Sequence, residues 1–359
     1  MTFNMEKRFL PSFKIGNRMV GEGQPAYFMA DIGANFDGDL EKAKKLAFAA
    51  KQAGADVVKI QSFKADKIVS GAGFASMKLK GIHGSWNRPI DEVFKEAEFP
   101  REWHKEFFAY CHEIGVTPSS SPYDVEAVDL MDELGTDFYK IGSGDITWLE
   151  MIEYIAKKGK PVILATGAST LAEVDEAVCV IERAGNRELA ILQCITNYPS
   201  KIESANINVL NTYREAFNAV IGYSDHSPGD VVVLGAVALG AKVIEKHFTL
   251  SKKDKGPDHP HSMEPEEFAR MVERTRDLER AMGTARKEVV EEESETVIVQ
   301  RRGLCASKDL AKGSVLTAED IAVLRPALGI LPNLKSAIVG KRLNRDISTG
   351  TPIRWEDID

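Results

Sequence analysis

The chain has 359 residues, a net charge of -8 and 43% hydrophobic residues, a length that suits a barrel of about 250 residues with a smaller appendage. The acidic balance argues against a nucleic-acid binder, which needs a basic face, and no apolar run approaches the roughly 20 residues of a membrane span, so a soluble protein is expected. Four cysteines, Cys111, Cys179, Cys194 and Cys305, lie far apart with no C-x-x-C pair, which sets aside a disulfide framework and a zinc ribbon and fits a reducing cytoplasm.

In chain order, the opening MTFNMEKRF has no long apolar core. Residues 13–20 (FKIGNRMV) set two short apolar pieces around Gly16 and Asn17, a dipeptide suited to a tight hairpin turn. Residues 1–24 therefore read as an N-terminal hairpin, a lid or plug ahead of the main fold. A strand at 26–30 runs into ADIGANFDGD, and a helix follows at 40–54, with Leu40, Ala43, Leu46, Ala47, Ala50 and Ala53 at helical spacing and Gly54 as its stop. The rhythm repeats, with strands at 57–61, 116–120, 138–141, 162–166, 189–194, 220–223 and 243–247 and helices at 101–115, 125–134, 149–158, 170–184, 207–216, 231–240 and 265–282. Eight strands alternating with eight helices predict an α/β chain, a (β/α)8 TIM barrel over residues 25–284.

The connection at 63–99 is long, carrying Gly71-Ala72-Gly73, His83-Gly84-Ser85-Trp86 and Asn87-Arg88-Pro89; it reads either as a lid over the active face or as an ordered surface excursion. Residues 287–295 (KEVVEEESE) are mostly acidic and mark a solvated linker or exposed helix end, placed at 285–296. Short apolar pieces and Gly turns then predict a compact β-rich domain at 297–359. That domain holds ten Lys+Arg and seven Asp+Glu, net +3, which leaves -11 for the preceding residues. An anionic substrate would need local cations.

In such a barrel, chemistry belongs at the C-terminal ends of the strands. The residues there are Asp31, Lys59, Gln61, Ser121, Lys140, Ser143, Thr166, Gln193, Thr196, Ser224, His226 and His247. Two of them stand out on the stretch IGYSDHSPGD…AKVIEKHF, where two strands joined by a helix each end near a histidine. A right-handed crossover brings those ends to one face, which makes His226 and His247 candidate ligands of a divalent metal. Along 243–247 the strand period of two sets Val243, Glu245 and His247 on one side and Ile244 and Lys246 on the other. Lys59 and Lys140 sit on short apolar strands, where an inward ammonium needs an anion, from a substrate or from a neighbouring Asp or Glu. The turns Gly142-Ser143-Gly144 and Thr166-Gly167 are small enough for their amides to approach a phosphate.

With these residues assembled, the chain resembles the sialic acid synthase family, which includes the synthases of N-acetylneuraminic, legionaminic and pseudaminic acids. The resemblance runs through ADIGANFDGD, AGADVVKIQSFKAD, SSPYD, YKIGSGDITWLE, ILATGAS, GYSDHSPG, GAKVIEKHFTL and GPDHPHSMEP, and the C-terminal segment resembles the antifreeze-like SAF (β-clip) module. It implies a metal-dependent condensation of phosphoenolpyruvate with the open-chain aldehyde of an N-acylated amino sugar such as N-acetylmannosamine. Lys59, Ser121, Lys140, Ser143 and Ser224 match the phosphoenolpyruvate site. His226 and His247 match the ligands of a divalent metal, Mn or Mg. Asp31 stands where the family has a glutamate facing the aldehyde, Gln61, Tyr198 and Asp258 match sugar-side positions, and Arg325 matches an arginine that reaches the partner's site in a domain-swapped homodimer. Three positions depart: Asp31 is one methylene short, Ala165 replaces a phosphate-facing serine, and Phe36 replaces a histidine, which is expected to reshape the sugar pocket or to mark a changed substrate. A synthase acting on a different or phosphorylated aldose, and a catalytically weak barrel serving as a carbohydrate-binding or assembly scaffold, remain the alternatives.

Overall fold

Eight short runs that alternate inward and outward side chains form one parallel sheet, in which each helix returns the chain to the same end. A computed structural model describes residues 8–78, 84 and 88–359; the expected segment before residue 8 and His83, Ser85, Trp86 and Asn87 lie outside them. The chain divides into two compact units, Met1–Gly283 and Thr284–Asp359.

The first unit opens with an antiparallel hairpin, β1 (Ser12–Ile15) and β2 (Arg18–Gly21). The barrel strands are β3 (Tyr27–Asp31), β4 (Val57–Ser62), β5 (Thr117–Pro122), β6 (Tyr139–Ile141), β7 (Val162–Ala165), β8 (Leu189–Cys194), β9 (Val220–Asp225) and β10 (Val243–His247). Their order is β5-β4-β3-β10-β9-β8-β7-β6, so the last strand pairs with the first and the ladder stays open only between β5 and β6. The eight surrounding helices are α1 (Leu40–Gln52), α2 (His104–Ile114), α3 (Val125–Glu133), α4 (Leu149–Ala156), α5 (Leu171–Arg183), α6 (Val209–Phe217), α7 (Val231–Ala238) and α8 (Pro265–Met282). This is the expected (β/α)8 architecture, nearly closed.

Several helix starts are set by side chains that satisfy free amides of the first turn. Asp39 accepts from the Glu41 amide, Asp124 from the Ala127 amide, and Thr170 forms a capping box with Glu173. The helix expected from residue 101 begins as a 3-10 turn, Arg101–Trp103, and becomes α2 at His104. Strands β3, β5 and β9 end one or two residues later than their apolar runs, because ladder pairing continues through Asp31, Ser121 and Asp225. The 63–99 connection holds three short helices, Ala65–Ile68, Gly71–Ala75 and Ile90–Glu96.

The period of two splits the core in two. Outward residues such as Phe28, Ala30, Val58, Ile60, Leu164 and Ile244 pack against the helices. Inward Tyr27, Met29, Val57, Ile163, Ala190, Leu192 and Val243 form an inner core with Phe13, Ile15 and Val20 of the hairpin, so the hairpin is a plug at the N-terminal end and leaves the polar end open.

The second unit pairs β11 (Gly303–Ala306) with β12 (Ile321–Leu324) and adds isolated bridges such as Leu310↔Ile347 and Leu343↔Ile358 around its own small core. The segment expected as a linker is partly helical, with a 3-10 turn at Glu291–Glu293 and a helix at Ser294–Gln300.

Gly222 marks where the inner core tolerates no extra atom: it is level with Leu192 and Val243, and a Cβ there would lie 2.3 Å from the Val243 carbonyl oxygen and 2.4 Å from Leu192 Cδ2. Gly222→Ala should therefore destabilise the barrel by about 1–3 kcal/mol, and an unchanged urea midpoint would contradict this packing. A second expectation concerns pH. His104 Nδ1 donates to the Pro100 carbonyl at 3.0 Å, its Nε2 lies 2.5 Å from Ser62 Oγ, and burial pushes its pKa down to about 4 from 6.5. The unfolded chain protonates first, so stability is lost as pH falls from about 6.5 to about 4, by at most ~1.4 kcal/mol per pH unit. Denaturant titrations of wild type and His104→Gln across that window should show the shallower pH dependence in the variant.

Candidate active site

The polar end of the barrel holds a cavity of about 310 Å³, and its floor is a chain of alternating charges on neighbouring strands. Register places Asp31 of β3 level with Lys59 of β4 on one side and with His247 of β10 on the other. Lys59 Nζ donates to Asp31 Oδ2 at 2.7 Å and lies 3.3 Å from Glu245 Oε1. Lys140 Nζ, from β6, stands 2.8 Å from Glu245 Oε2. All four side chains are at most 5% exposed.

Each charge is sustained by the others. Burial alone would raise the Asp31 carboxyl, but the Lys59 ammonium and the His247 ring hold it well below the usual carboxylate range. Burial also works against an ionised Glu245, and Lys140 and Lys59 overcome it and keep the group a carboxylate. Burial would lower Lys59, whereas Asp31 and Glu245 raise it. Asp31 is further saturated by the Gly33 amide on Oδ1 at 2.9 Å and by Gln61 Nε2 on Oδ2 at 3.2 Å.

The two strand-end histidines converge, with ring centroids 5.4 Å apart. His226 Nδ1 lies 2.9 Å from the Ile195 carbonyl oxygen; a carbonyl only accepts, so Nδ1 carries the proton and Nε2 the lone pair. Outside the barrel, the buried pair Lys246–Asp225 at 2.5 Å and the Lys246 bond to the Ser227 carbonyl at 2.7 Å fix the turn that carries His226. His247 Nε2 is 3.7 Å from Asp31 Oδ2, while its buried Nδ1 has no hydrogen-bond partner among the described residues. Two imidazoles with available nitrogen, beside an ionised carboxylate, are a donor set that fits a divalent cation.

Lys59, Lys140, Gln61, Ser121, Ser143, Ser224, Tyr198, Asp258, His226 and His247 all line this cavity, as does Asp31. Ser143 Oγ accepts the Gly167 amide at 2.9 Å, so that amide serves the serine instead of standing free for a ligand. Ala165 also lines the cavity, where it offers no hydroxyl.

The places of Thr166, Gln193 and Phe36 differ from expectation. Thr166 and Gln193 lie outside the cavity: Thr166 Oγ1 donates to the Leu192 carbonyl at 2.8 Å, and Gln193 Nε2 to the Ala205 carbonyl at 3.3 Å. Inward Ala165, Leu192 and Cys194 force these neighbours outward by the period of two. Phe36 does not line the pocket; it is 1% exposed and packs edge to face on Phe99 and Trp103. Arg325 belongs to the second unit, where it is exposed.

Glu245, Tyr123 and His261 also line or adjoin the cavity and were not singled out from sequence. The signal for Glu245 was present, since it shares the inward side of β10 with His247. The 63–99 connection contributes Phe63, Ile68, Val93, Phe94 and Ala97 to the wall, which no periodicity announced.

Among the described residues no helix is long and apolar enough to cross a membrane. The profile of the NeuB family matches residues 46–287, and that of the SAF domain matches residues 301–359. The chain is 36% identical to the N,N'-diacetyllegionaminic acid synthase of Legionella pneumophila over 94% of this chain and 96% of that protein. It is 34% identical to the pseudaminic acid synthase of Campylobacter jejuni over 96% and 99% of the two chains. Among solved structures, the spore coat polysaccharide biosynthesis protein spsE of Bacillus subtilis shares 33% identity with a TM-score of 0.65, covering 97% of this chain and 99% of that one. A profile match over more than half of the chain, together with full-length relatives above 30% identity, shows that the chain belongs to the NeuB family.

Proposed function

We propose that this chain is a synthase of nonulosonic, sialic-type acids that joins phosphoenolpyruvate to the open-chain aldehyde of an N-acylated amino sugar. C3 of the enolpyruvate adds to the aldehyde carbon, water adds to C2, and the C–O bond breaks, releasing phosphate and leaving a 3-deoxy-2-keto acid. The observation that carries this reading is the buried floor Asp31, Lys59, Glu245 and Lys140 in a chain of this family.

Phosphoenolpyruvate carries a carboxylate and a phosphate, and two buried ammonium groups match two anions. In the free protein those ammonium groups are neutralised by Asp31 and Glu245, so the ligand enters by exchange of partners within a prearranged array. The hydroxyls of Ser121, Ser143 and Ser224 supply neutral donors beside them. Ala165 removes one such donor, which weakens phosphate binding by roughly 1 kcal/mol. Asp31, held ionised by Lys59, is suited to accept hydrogen bonds from a water or a sugar hydroxyl and poorly suited to take a proton near neutral pH.

His226 and His247 would hold a divalent cation such as Mn or Mg, which when bound polarises the aldehyde oxygen. Tyr198 packs its ring on His226 at 4.3 Å and on His247 at 5.9 Å and limits the positions those imidazoles can take.

The same reading includes a homodimer in which Arg325 of one copy serves the site of the other. In support, Arg325 is exposed and appears in no ion pair or side-chain hydrogen bond among the described residues, and Leu324, Leu328, Leu331 and Leu334 around it are 39–51% exposed. A permanently charged planar guanidinium suits an amide oxygen or a pair of hydroxyls.

Two experiments test this. Purified chain supplied with phosphoenolpyruvate should release phosphate with one of N-acetylmannosamine, its 6-phosphate or a 2,4-diacetamido hexose. Chelator should abolish the release and Mn or Mg restore it; no release with any of the three would overturn the assignment. Mixing an inactive Arg325→Ala chain with an inactive His226→Ala chain should recover activity through hybrid dimers, and a mixture that stays inactive would count against a shared site.

A further inference from the structure

The charged floor of the cavity accounts for the phosphoenolpyruvate end of the reaction and leaves one wall without a role. That wall is apolar. Phe63 lies just past the end of β4, two residues beyond Gln61, and lines the cavity together with Ile68, Val93, Phe94 and Ala97. Its ring centroid is 5.6 Å from that of Phe94 and 6.1 Å from that of Tyr123, so three rings form one continuous surface.

The short helix Ile90–Glu96 has two unlike sides. Val93 and Phe94, with Ala97 just after them, line the cavity and are half-buried, whereas Asp91, Glu92, Lys95 and Glu96 are exposed. Apolar surface is thereby kept open toward the cavity instead of being closed into a core. Glu98 holds the helix in place: its side chain is 8% exposed and accepts the Ala65 amide at 2.7 Å and Lys95 Nζ at 3.2 Å. Among the described residues lining the cavity, Lys59 and Lys140 are the only Lys or Arg side chains, and both are bound to carboxylates on the floor.

We propose that this wall binds the end of the acceptor farthest from its aldehyde, and that the acceptor is uncharged and apolar there: an unphosphorylated sugar whose last carbon is a methyl group. The inference rests on the synthase reading, which sets the direction of the sugar chain. The aldehyde carbon has to meet C3 of phosphoenolpyruvate at the floor, so an open-chain sugar turns its other end toward the mouth, where Phe63, Val93 and Phe94 stand. A methyl group gains by leaving water against those side chains. A phosphate group would lose hydration there with no cation to replace it.

Phosphate release is measured on the full-length chain with phosphoenolpyruvate, Mn and three acceptors that differ at one carbon: N-acetylmannosamine, its 6-deoxy analogue and its 6-phosphate. The 6-deoxy sugar should have the highest kcat/KM, at least about tenfold above the 6-hydroxy sugar, as one group in an apolar pocket commonly yields, and the 6-phosphate the lowest. Phe94→Ala should cut that preference to about twofold or less, and Phe94→Lys should raise the 6-phosphate above the 6-deoxy sugar. Binding is read separately by saturation-transfer NMR on the alditol of the 6-deoxy sugar, which has no aldehyde and cannot react. Its C6 methyl protons should receive the most saturation, and Phe94→Ala should remove that excess. A preference for the 6-phosphate, equal rates with the 6-deoxy and 6-hydroxy sugars, or a C6 methyl signal no stronger than the other protons would overturn the assignment of the wall. Strong methyl saturation without phosphate release from any acceptor would support the wall as a sugar site and remove only the synthase reading.

Discussion

Everything at the polar end of this barrel depends on the ionic chain Asp31, Lys59, Glu245, Lys140. Removing four charged groups from water is expensive, and their mutual attraction offsets that only if none is left over. The parallel ladder meets this condition by register: Asp31 is level with Lys59 and His247, and Glu245 lies one inward step below His247. The array is neutral when empty, and it is poised for an anionic ligand because each ammonium can exchange one carboxylate for another.

That arrangement needs a barrel whose other end is closed. Phe13, Ile15 and Val20 of the hairpin join Tyr27, Met29, Val57 and Val243 in one dry core, so the inward positions grade from apolar to charged along each strand. Gly222 lets β8, β9 and β10 approach at the level where this change begins. Above it, the side chains are too constrained by packing to turn away from one another. Deep burial and fixed geometry make their interactions stronger than the same groups would have in water.

The loop after β10 adds a second source of order. Phe248 bridges to Met263, and His259, Ser262 and Asp258 each bond back to the first βα loop or its neighbours. Two loops from strands distant in sequence and adjacent in the sheet are thereby clamped together over the cavity. Asp258 and His261 owe their positions to that clamp and not to any regular element.

By itself the sequence determined the barrel, because eight apolar runs alternating with eight amphipathic stretches have few ways to bury both faces, and it determined the strand-end residues Lys59, Lys140, His226 and His247, because a strand's last positions are visible in its pattern. It was silent where the outcome hung on a neighbour. Whether Thr166 and Gln193 pointed in or out depended on one-residue phase; Phe36, which does not line the cavity, needed Phe99 and Trp103 to claim it. That Glu245 would stand between two lysines, and that His261 would meet His247 and Asp258, depended on register between strands and on a clamped loop. Glu245 lies 186 positions from Lys59 and 105 from Lys140, and only the closed sheet brings them within reach of one another.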